Sequence, residues 1–171
     1  MAECLETIEF ADDLNRYAAI IDIPVPGNKL AIEWSNRFVT GIDFLPDSVA
    51  TIETKDPVLL EVIQRLLAYF DHGKSELNIP IKLAGTKFQQ RVWQAIQTIP
   101  SGAVATYAEL AMYLENHPRA IGGACRRNPV PIIVPCHRVV ASNGIGGFAG
   151  AVNGKQINLK QWLLNHEGIT L

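Results

Sequence analysis

The stretch TYAELAMYLENHPRAIGGACRRNP, residues 106–129, predicts two short helices joined by a tight turn. Thr106 and Glu109 have the spacing of a capping box, in which two side chains bond backbone N–H groups reciprocally at a helix start. Pro118 suits the first position of the second helix, which we expect to run to about Arg127. Two helices across such a turn form a helix-turn-helix candidate, although the same unit also serves packing alone.

The second of these helices is unusually rich in small residues, namely Ala120, Gly122, Gly123 and Ala124. Glycine in a helix interior costs about 1 kcal/mol relative to alanine, so two in succession indicate that something approaches this backbone closely. A neighbouring helix is one possibility and a nucleic acid backbone or groove is the other. The flanking basic residues favour nucleic acid: Arg119, Arg126 and Arg127.

Charge is divided unevenly along the chain, although the net charge is only −2. Residues 1–80 contain 14 acidic and six basic side chains. Residues 116–166 contain no acidic side chain and six basic ones. This segregation predicts an electropositive face on the C-terminal half, as nucleic-acid-binding surfaces have.

The N-terminal half has the pattern of a small α/β unit. Alternating apolar residues over 29–45 predict two strands around a central turn, and the capped apolar stripe of 56–73 predicts a helix. Residues 76–85 have the composition of a linker. We therefore predict an α+β chain with an N-terminal α/β domain over 1–80, in which we identify no chemistry, and a mainly helical domain over 81–171.

Several functional classes are disfavoured by composition. Cys4, Cys125 and Cys136 are an odd number without close pairing, which argues against a disulfide framework. The histidines lack zinc-ligand spacing, and the glycine-rich loop is not a dinucleotide-binding motif. No apolar run approaches the length of a membrane span, and the acidic N-terminus does not resemble a signal peptide. We expect a cytoplasmic protein without metal, cofactor or membrane partner.

The most apolar segment is NPVPIIVPCHRVV, residues 128–140. Its prolines exclude a helix, and we expect strand-like structure at 132–134 and 139–140. A glycine-rich loop at 142–150 follows, and a final helix is predicted over about 155–166.

This apolar segment places a thiol beside an imidazole. A nucleophilic cysteine needs a base or local positive charge. Cys136 has a possible base in His137 and a positive charge in Arg138. Adjacent side chains in an extended segment point to opposite faces, so a bridging water or a local turn is needed between them. Glu167, the first acid after the long acid-free stretch, could orient the base. From these residues alone, an inert buried thiol and a core histidine stay open.

The segment 128–140 resembles the active-site signature of the O6-alkylguanine-DNA alkyltransferases. Four further blocks are similar to that family's other conserved segments: 107–111, 119–129, 143–150 and 159–168. The resemblance is strong over 85–168. It implies an RNase H-like fold for the N-terminal half and a winged-helix-like, helix-turn-helix fold for the C-terminal half.

The resemblance implies a set of chemical roles. Cys136 is the expected alkyl acceptor, with His137 and Glu167 as its activating partners. Tyr107 and Lys160 are expected to assist proton donation to the departing guanine.

The resemblance also implies a DNA interface and a substrate pocket. Asn128 is the expected hinge between the DNA-binding helix and the active-site segment, and Arg119 the expected finger that fills the space of an extruded base. The other expected DNA contacts are Ala120, Gly122, Gly123, Arg126, Arg127 and Tyr107. The expected pocket residues are Val139, Phe148, Ala149, Cys125 and Pro131. Phe148 and Ala149 stand where many relatives carry tyrosine and serine.

The implied function is irreversible transfer of an alkyl group from O6-alkylguanine in duplex DNA to Cys136, with O4-alkylthymine as an open further substrate. The helix-turn-helix would bind the minor groove, the damaged nucleotide would be flipped out, and one monomer would repair one base. Two other functions remain open. A cysteine hydrolase would turn over repeatedly, and a DNA-binding module that only senses damage would not need its thiol.

Overall fold

The computed structural model describes residues 14–171, so Cys4 and the first part of the predicted N-terminal domain lie outside it. Within that range the chain forms five α-helices and two small sheets. The strands are β1 Ala19–Asp22, β2 Asn28–Ser35, β3 Phe38–Pro46, β4 Ala105–Thr106 and β5 Val139–Val140. The helices are α1 Pro57–His72, α2 Lys87–Gln97, α3 Tyr107–Tyr113, α4 Pro118–Arg126 and α5 Lys155–His166. The expected mixture of α and β structure is therefore confirmed.

The N-terminal sheet is an antiparallel meander in the order β1-β2-β3. The two strands predicted over residues 29–45 are β2 and β3. Asn36 and Arg37 turn the chain between them with φ of 50° and 68°, the left-handed geometry that suits a two-residue hairpin. Ile32 lies opposite Ile42 in this register, and both are buried under α1 and the rest of the core.

Helix α1 begins and ends where its sequence signals predict. The Asp56 carboxylate accepts hydrogen bonds from the N–H groups of Val58 and Leu59, and Pro57 occupies the first turn. Gly73 ends the helix in the left-handed conformation, and its N–H donates to Tyr69 O.

The two halves of the chain share one hydrophobic core. A single cluster of buried side chains extends from Ala19 in β1 to Leu163 in α5. Backbone bonds also cross between the halves, including Ile42 N–H to Pro129 O at 2.8 Å. The division into domains at residue 80 stays a prediction, and the core is continuous across it.

The predicted helix-turn-helix is formed by α3 and α4. Thr106 and Glu109 make both bonds of the predicted capping box, and Pro118 opens α4. A parallel pairing of β4 with β5 places Ala105 beside Val139. The start of the helix-turn-helix is therefore attached directly to the end of the active-site segment.

One sequence expectation about this segment is wrong. Residues 132–134 are not a strand but a tight buried turn, in which Ile132 has a φ of 75°. Val134 N–H donates back to Val130 O at 2.9 Å, closing the turn. The neighbouring prolines at 129, 131 and 135 lack the N–H groups that a sheet ladder would need. The expected strand at Val139–Val140 is confirmed.

Gly73 sits where α1 meets the end of α5. A Cβ at this position would collide with the backbone carbonyl oxygen of His166, and the backbone has a φ of 66°. Gly27 offers a matched comparison, because its φ is 71° but a Cβ there would meet nothing within 4 Å.

We predict that Gly27→Ala lowers the free energy of unfolding by about 1–2 kcal/mol, the cost of a left-handed alanine. Gly73→Ala adds overpacking to that cost and should lower it by at least about 3 kcal/mol. Urea unfolding of both variants measures the difference. Equal losses would show that α1 does not dock tightly against α5.

Candidate active site

Cys136 begins a 3₁₀ turn that runs from Cys136 to Arg138. All three residues of the turn are buried, and Arg138 N–H closes it on Pro135 O at 2.9 Å. Successive side chains in such a turn diverge by about 120° rather than 180°. This is the local turn that an adjacent thiol and imidazole require.

Asn128 connects the end of α4 to the turn that carries the thiol. Its amide nitrogen donates to Val134 O at 2.7 Å, and its amide oxygen accepts from Val130 N–H at 3.0 Å. The same side chain also acts to lower the pKa of Cys136, against the effect of burial, which raises it. Asn128 therefore lies between the end of α4 and the thiol, the position at which the hinge residue was expected.

Glu167 is the common partner of the buried polar groups behind the thiol. Its Oε1 accepts from His137 Nε2 at 2.7 Å, Tyr69 OH at 2.7 Å and Arg138 Nη2 at 2.9 Å. Its Oε2 accepts from Arg138 Nε at 2.8 Å. Burial acts to raise the pKa of Glu167, but hydrogen bonds from His137, Arg138 and Tyr69 outweigh it and lower that pKa to about 2. Glu167 is thus a permanent carboxylate at neutral pH.

His137 is held as a neutral imidazole. Burial lowers its pKa, and the opposing attraction of Glu167 does not reverse the shift. Because Nε2 faces a carboxylate, geometry assigns the proton to Nε2 and leaves Nδ1 as an acceptor. Among the described residues, Nδ1 has no hydrogen-bond partner. The ring of His137 therefore has an unpaired basic nitrogen, one residue along the chain from the thiol.

The Cys136 thiol is protonated at rest. Burial raises its pKa. The hydrogen bond from Asn128, the positive charge of Lys160 and the backbone N–H groups of Cys136 and His137 act in the opposite direction, favouring the thiolate. These groups stabilise negative charge on sulfur when it forms but do not maintain it beforehand.

Two further proton-bearing side chains, Lys160 and Tyr107, are close enough to Cys136 to interact with it electrostatically. Lys160 Nζ donates to Val139 O at 2.6 Å and to Gly147 O at 2.9 Å, and Tyr107 OH donates to Gly147 O at 3.1 Å. Burial lowers the pKa of Lys160 to about 8, while it raises the pKa of Tyr107. A lysine that titrates near neutral pH can release a proton and take one back.

A pocket of about 460 Å³ opens between α4 and the glycine-rich loop, with Cys136 in its wall. Most of the predicted interface and pocket residues line it, namely Tyr107, Arg119, Gly122, Gly123, Cys125, Arg126, Phe148 and Ala149. A Cβ at Gly150 would come within 2.6 Å of Arg126 Nε, so the loop and the helix meet at this glycine. The pocket therefore reaches from the outer face of α4 to the thiol.

Four of the predicted interface and pocket residues do not line this pocket. Val139 does not line the pocket, because its side chain is fully buried in the core and only its carbonyl faces Lys160. Pro131 lines an adjoining cavity of about 220 Å³ that also includes Cys136. Ala120 is half-buried and Arg127 exposed, and neither contributes to the pocket wall.

Two functional residues were missed or misread in the sequence. Tyr69 contacts Glu167 from α1, 98 positions away, and its place in an apolar helical stripe gave no sign of a polar role. Arg138 was counted with the positive charges around the thiol, but it forms a buried ion pair with Glu167. Lys160 is buried as well, so the predicted electropositive face would depend on the four exposed basic residues of the acid-free stretch: Arg119, Arg126, Arg127 and Lys155.

No metal site accompanies these groups. Over residues 14–171, no cluster of three or more His, Cys, Asp or Glu side chains is arranged to bind an ion. No helix in that range has the length and hydrophobicity needed to cross a membrane.

Comparison with known proteins gives consistent matches. A family model described as the DNA binding domain of 6-O-methylguanine DNA methyltransferase matches residues 87–169. The chain is similar to the methylated-DNA–protein-cysteine methyltransferase of Archaeoglobus fulgidus, with 40% identity over 112 residues, 64% of this chain and 75% of the relative. It is also similar to the Shigella flexneri protein of the same name, with 38% identity over 150 residues, covering 82% and 84% of the two chains.

Solved structures extend the similarity to the fold. The crystal structure of Mycobacterium tuberculosis OGT in complex with DNA matches with a TM-score of 0.70 and 35% identity, covering 88% of this chain and 91% of that one. The O6-methylguanine-DNA methyltransferase from Pyrococcus kodakaraensis matches with a TM-score of 0.63 and 29% identity, covering 88% and 97%.

Proposed function

The chain belongs to the methylated-DNA–protein-cysteine methyltransferase family, and from this premise we propose that it repairs alkylated DNA by moving the alkyl group onto Cys136. The observation that carries the assignment to this residue is the position of its sulfur. Cys136 lies in the wall of the pocket, and the His137–Glu167 pair lies buried behind it. This arrangement supplies a nucleophile, a base and a carboxylate that orients the base.

We propose O6-alkylguanine in duplex DNA as the substrate. The O6 atom lies inside the base stack, so a thiol in a pocket reaches its alkyl group only after the nucleotide is extruded, at a cost of a few kcal/mol. The pocket volume of about 460 Å³ is of the size that takes one small organic group. Its wall contains the apolar Phe148 and the backbone of the glycine-rich loop.

The proposed reaction is an in-line displacement at the alkyl carbon. The Cys136 proton passes to His137 Nδ1 through one water molecule, the Sγ–carbon bond forms and the carbon–O6 bond breaks. The departing guanine takes a proton from Tyr107 OH, which Lys160 replenishes. The lowered pKa of Lys160, about 8, suits this exchange near neutral pH. The products are neutral guanine and a thioether, which water does not readily hydrolyse, so each molecule acts once.

We propose that α4 is the element that enters the minor groove. Its exposed arginines would neutralise phosphates, and Gly122 and Gly123 would let the helix approach the groove. Arg119, which is exposed near the start of α4 and lines the pocket, would occupy the space of the flipped base.

The finer description of the molecule is part of the same proposal. The three-stranded sheet with α1 would be the RNase H-like unit, and α2–α4 with the short β4–β5 pair the winged-helix-like unit. We propose a cytoplasmic monomer that needs no cofactor.

The proposed transfer predicts a permanent mass change at one residue. After incubation with duplex DNA bearing O6-methylguanine, intact-mass analysis should show one added methyl group per molecule, assigned to Cys136 by peptide mapping. Cys136→Ser should show none, whereas Cys125→Ser, which removes the other pocket thiol, should be modified as the parent is. Repeated turnover without added mass would indicate a hydrolase, and full repair by Cys136→Ser would indicate a damage sensor.

If Arg119 fills the space of the flipped base, Arg119→Ala should slow the reaction with duplex DNA much more than the reaction with a free base. Reaction with methylated duplex should slow by roughly 10-fold or more, because flipping loses a few kcal/mol of support. Reaction with free O6-benzylguanine, which needs no flipping, should change less than about twofold. Arg127→Ala, which removes an exposed arginine outside the pocket wall, is the matched control. Equal losses of Arg119→Ala on both substrates would contradict the role.

A further inference from the structure

Tyr69 brings the N-terminal half of the chain into the active site. Its side chain is fully buried on α1, and its hydroxyl donates to Glu167 Oε1 at 2.7 Å. The ring is held edge-on by Phe70 and by His166, with centroid distances of 5.4 Å and 5.6 Å. The Tyr69 carbonyl also accepts from His166 Nε2 at 2.8 Å. These contacts fix the hydroxyl in place.

The hydroxyl shares its acceptor atom with the catalytic base. Glu167 Oε1 receives Tyr69 OH and His137 Nε2 at the same distance, 2.7 Å. Each donor stabilises the negative charge of the carboxylate and lowers its affinity for a further proton, which makes it a weaker acceptor for the other donors. Without the tyrosine proton, the oxygen would attract the imidazole N–H more strongly and favour the imidazolium.

The charges around His137 come from three elements. Glu167 and Lys160 face it from α5, Arg138 and Cys136 from its own turn, and Tyr69 closes the α1 side through Glu167. Of these, Glu167 favours a protonated imidazole, whereas Arg138 and Lys160 disfavour it. Tyr69 is uncharged, and its hydrogen bond weakens the effect of Glu167, the one partner that favours protonation of His137.

We propose that Tyr69 is a positioning residue for alkyl transfer, whose hydroxyl limits the basicity of Glu167 so that His137 stays neutral and its Nδ1 can take the thiol proton. This inference rests on the proposed function for its kinetic consequence. Its structural part, the protonation state of His137, stands independently of any alkyl transfer.

The kinetic test compares Tyr69→Phe with Tyr17→Phe. Tyr17 is also buried and its hydroxyl donates to a carboxylate, Asp43 Oδ2 at 2.8 Å, but it lies just before β1 in a separate apolar cluster with Ile20 and Leu45. The rate of Cys136 alkylation by free O6-benzylguanine is measured against pH for each. We expect the acid limb of Tyr69→Phe to move to higher pH, giving rates roughly threefold to 10-fold lower on that limb and unchanged rates above it. Tyr17→Phe should follow the parent throughout.

A second measurement does not require the protein to transfer an alkyl group. The ¹⁵N NMR shifts of His137 report its tautomer and protonation during an acid titration. In Tyr69→Phe, His137 should protonate at higher pH than in the parent and in Tyr17→Phe.

The outcomes separate the two levels of the proposal. A shifted His137 titration in a protein that is never alkylated would retain the positioning role and refute the proposed function. Identical His137 titrations, no titration in either protein, or a rate loss that is uniform across pH would overturn the positioning role.

Discussion

The structure depends on one buried carboxylate and the donors that compensate it. An ionised side chain taken out of water costs several kcal/mol unless it is paired and hydrogen-bonded. Glu167 is 1% exposed, and it meets this requirement with an ion pair to Arg138 and hydrogen bonds from His137 and Tyr69. These partners come from α1 and from the turn that carries the thiol. Folding of the two halves and assembly of the active site are therefore the same event.

A second set of contacts joins the helix-turn-helix to the turn that carries Cys136. Asn128 joins the end of α4 to the Cys136 turn, and the β4–β5 pair joins the start of α3 to the end of that turn. The helix-turn-helix is thus attached at two points to the segment that carries Cys136. Because burial raises the pKa of the thiol, the proposed transfer requires that a base take its proton before or as the sulfur attacks.

Local signals in the sequence predicted much of this architecture. The features that were not predicted depend on contacts that have no signature in the sequence. Capping boxes and the Asp56–Pro57 start marked helix boundaries, because they are satisfied within a few residues of the chain. The turn at 132–134 was mistaken for a strand, since β-branched residues suggest strands and the local bond that closes the turn, from Val134 N–H to Val130 O, has no signature in the sequence. Tyr69 was missed for a related reason. A tyrosine in an apolar helical stripe has the same pattern whether or not its hydroxyl meets a carboxylate 98 positions away.

The central claim, that Glu167 is a buried and fully compensated carboxylate, is tested by the pH dependence of unfolding in the parent and in Glu167→Gln. Its pKa is lowered from 4.5 to about 2, so the stability it contributes is present above about pH 4.5 and is lost as the pH falls toward 2. Glu167→Gln should be less stable at neutral pH because Arg138 loses its counter-charge. Between about pH 4.5 and pH 2, the free energy of unfolding should fall by on the order of 3 kcal/mol less in Glu167→Gln than in the parent. If the free energy of unfolding changes with pH in the same way in both proteins between pH 5 and about pH 2, the account is contradicted.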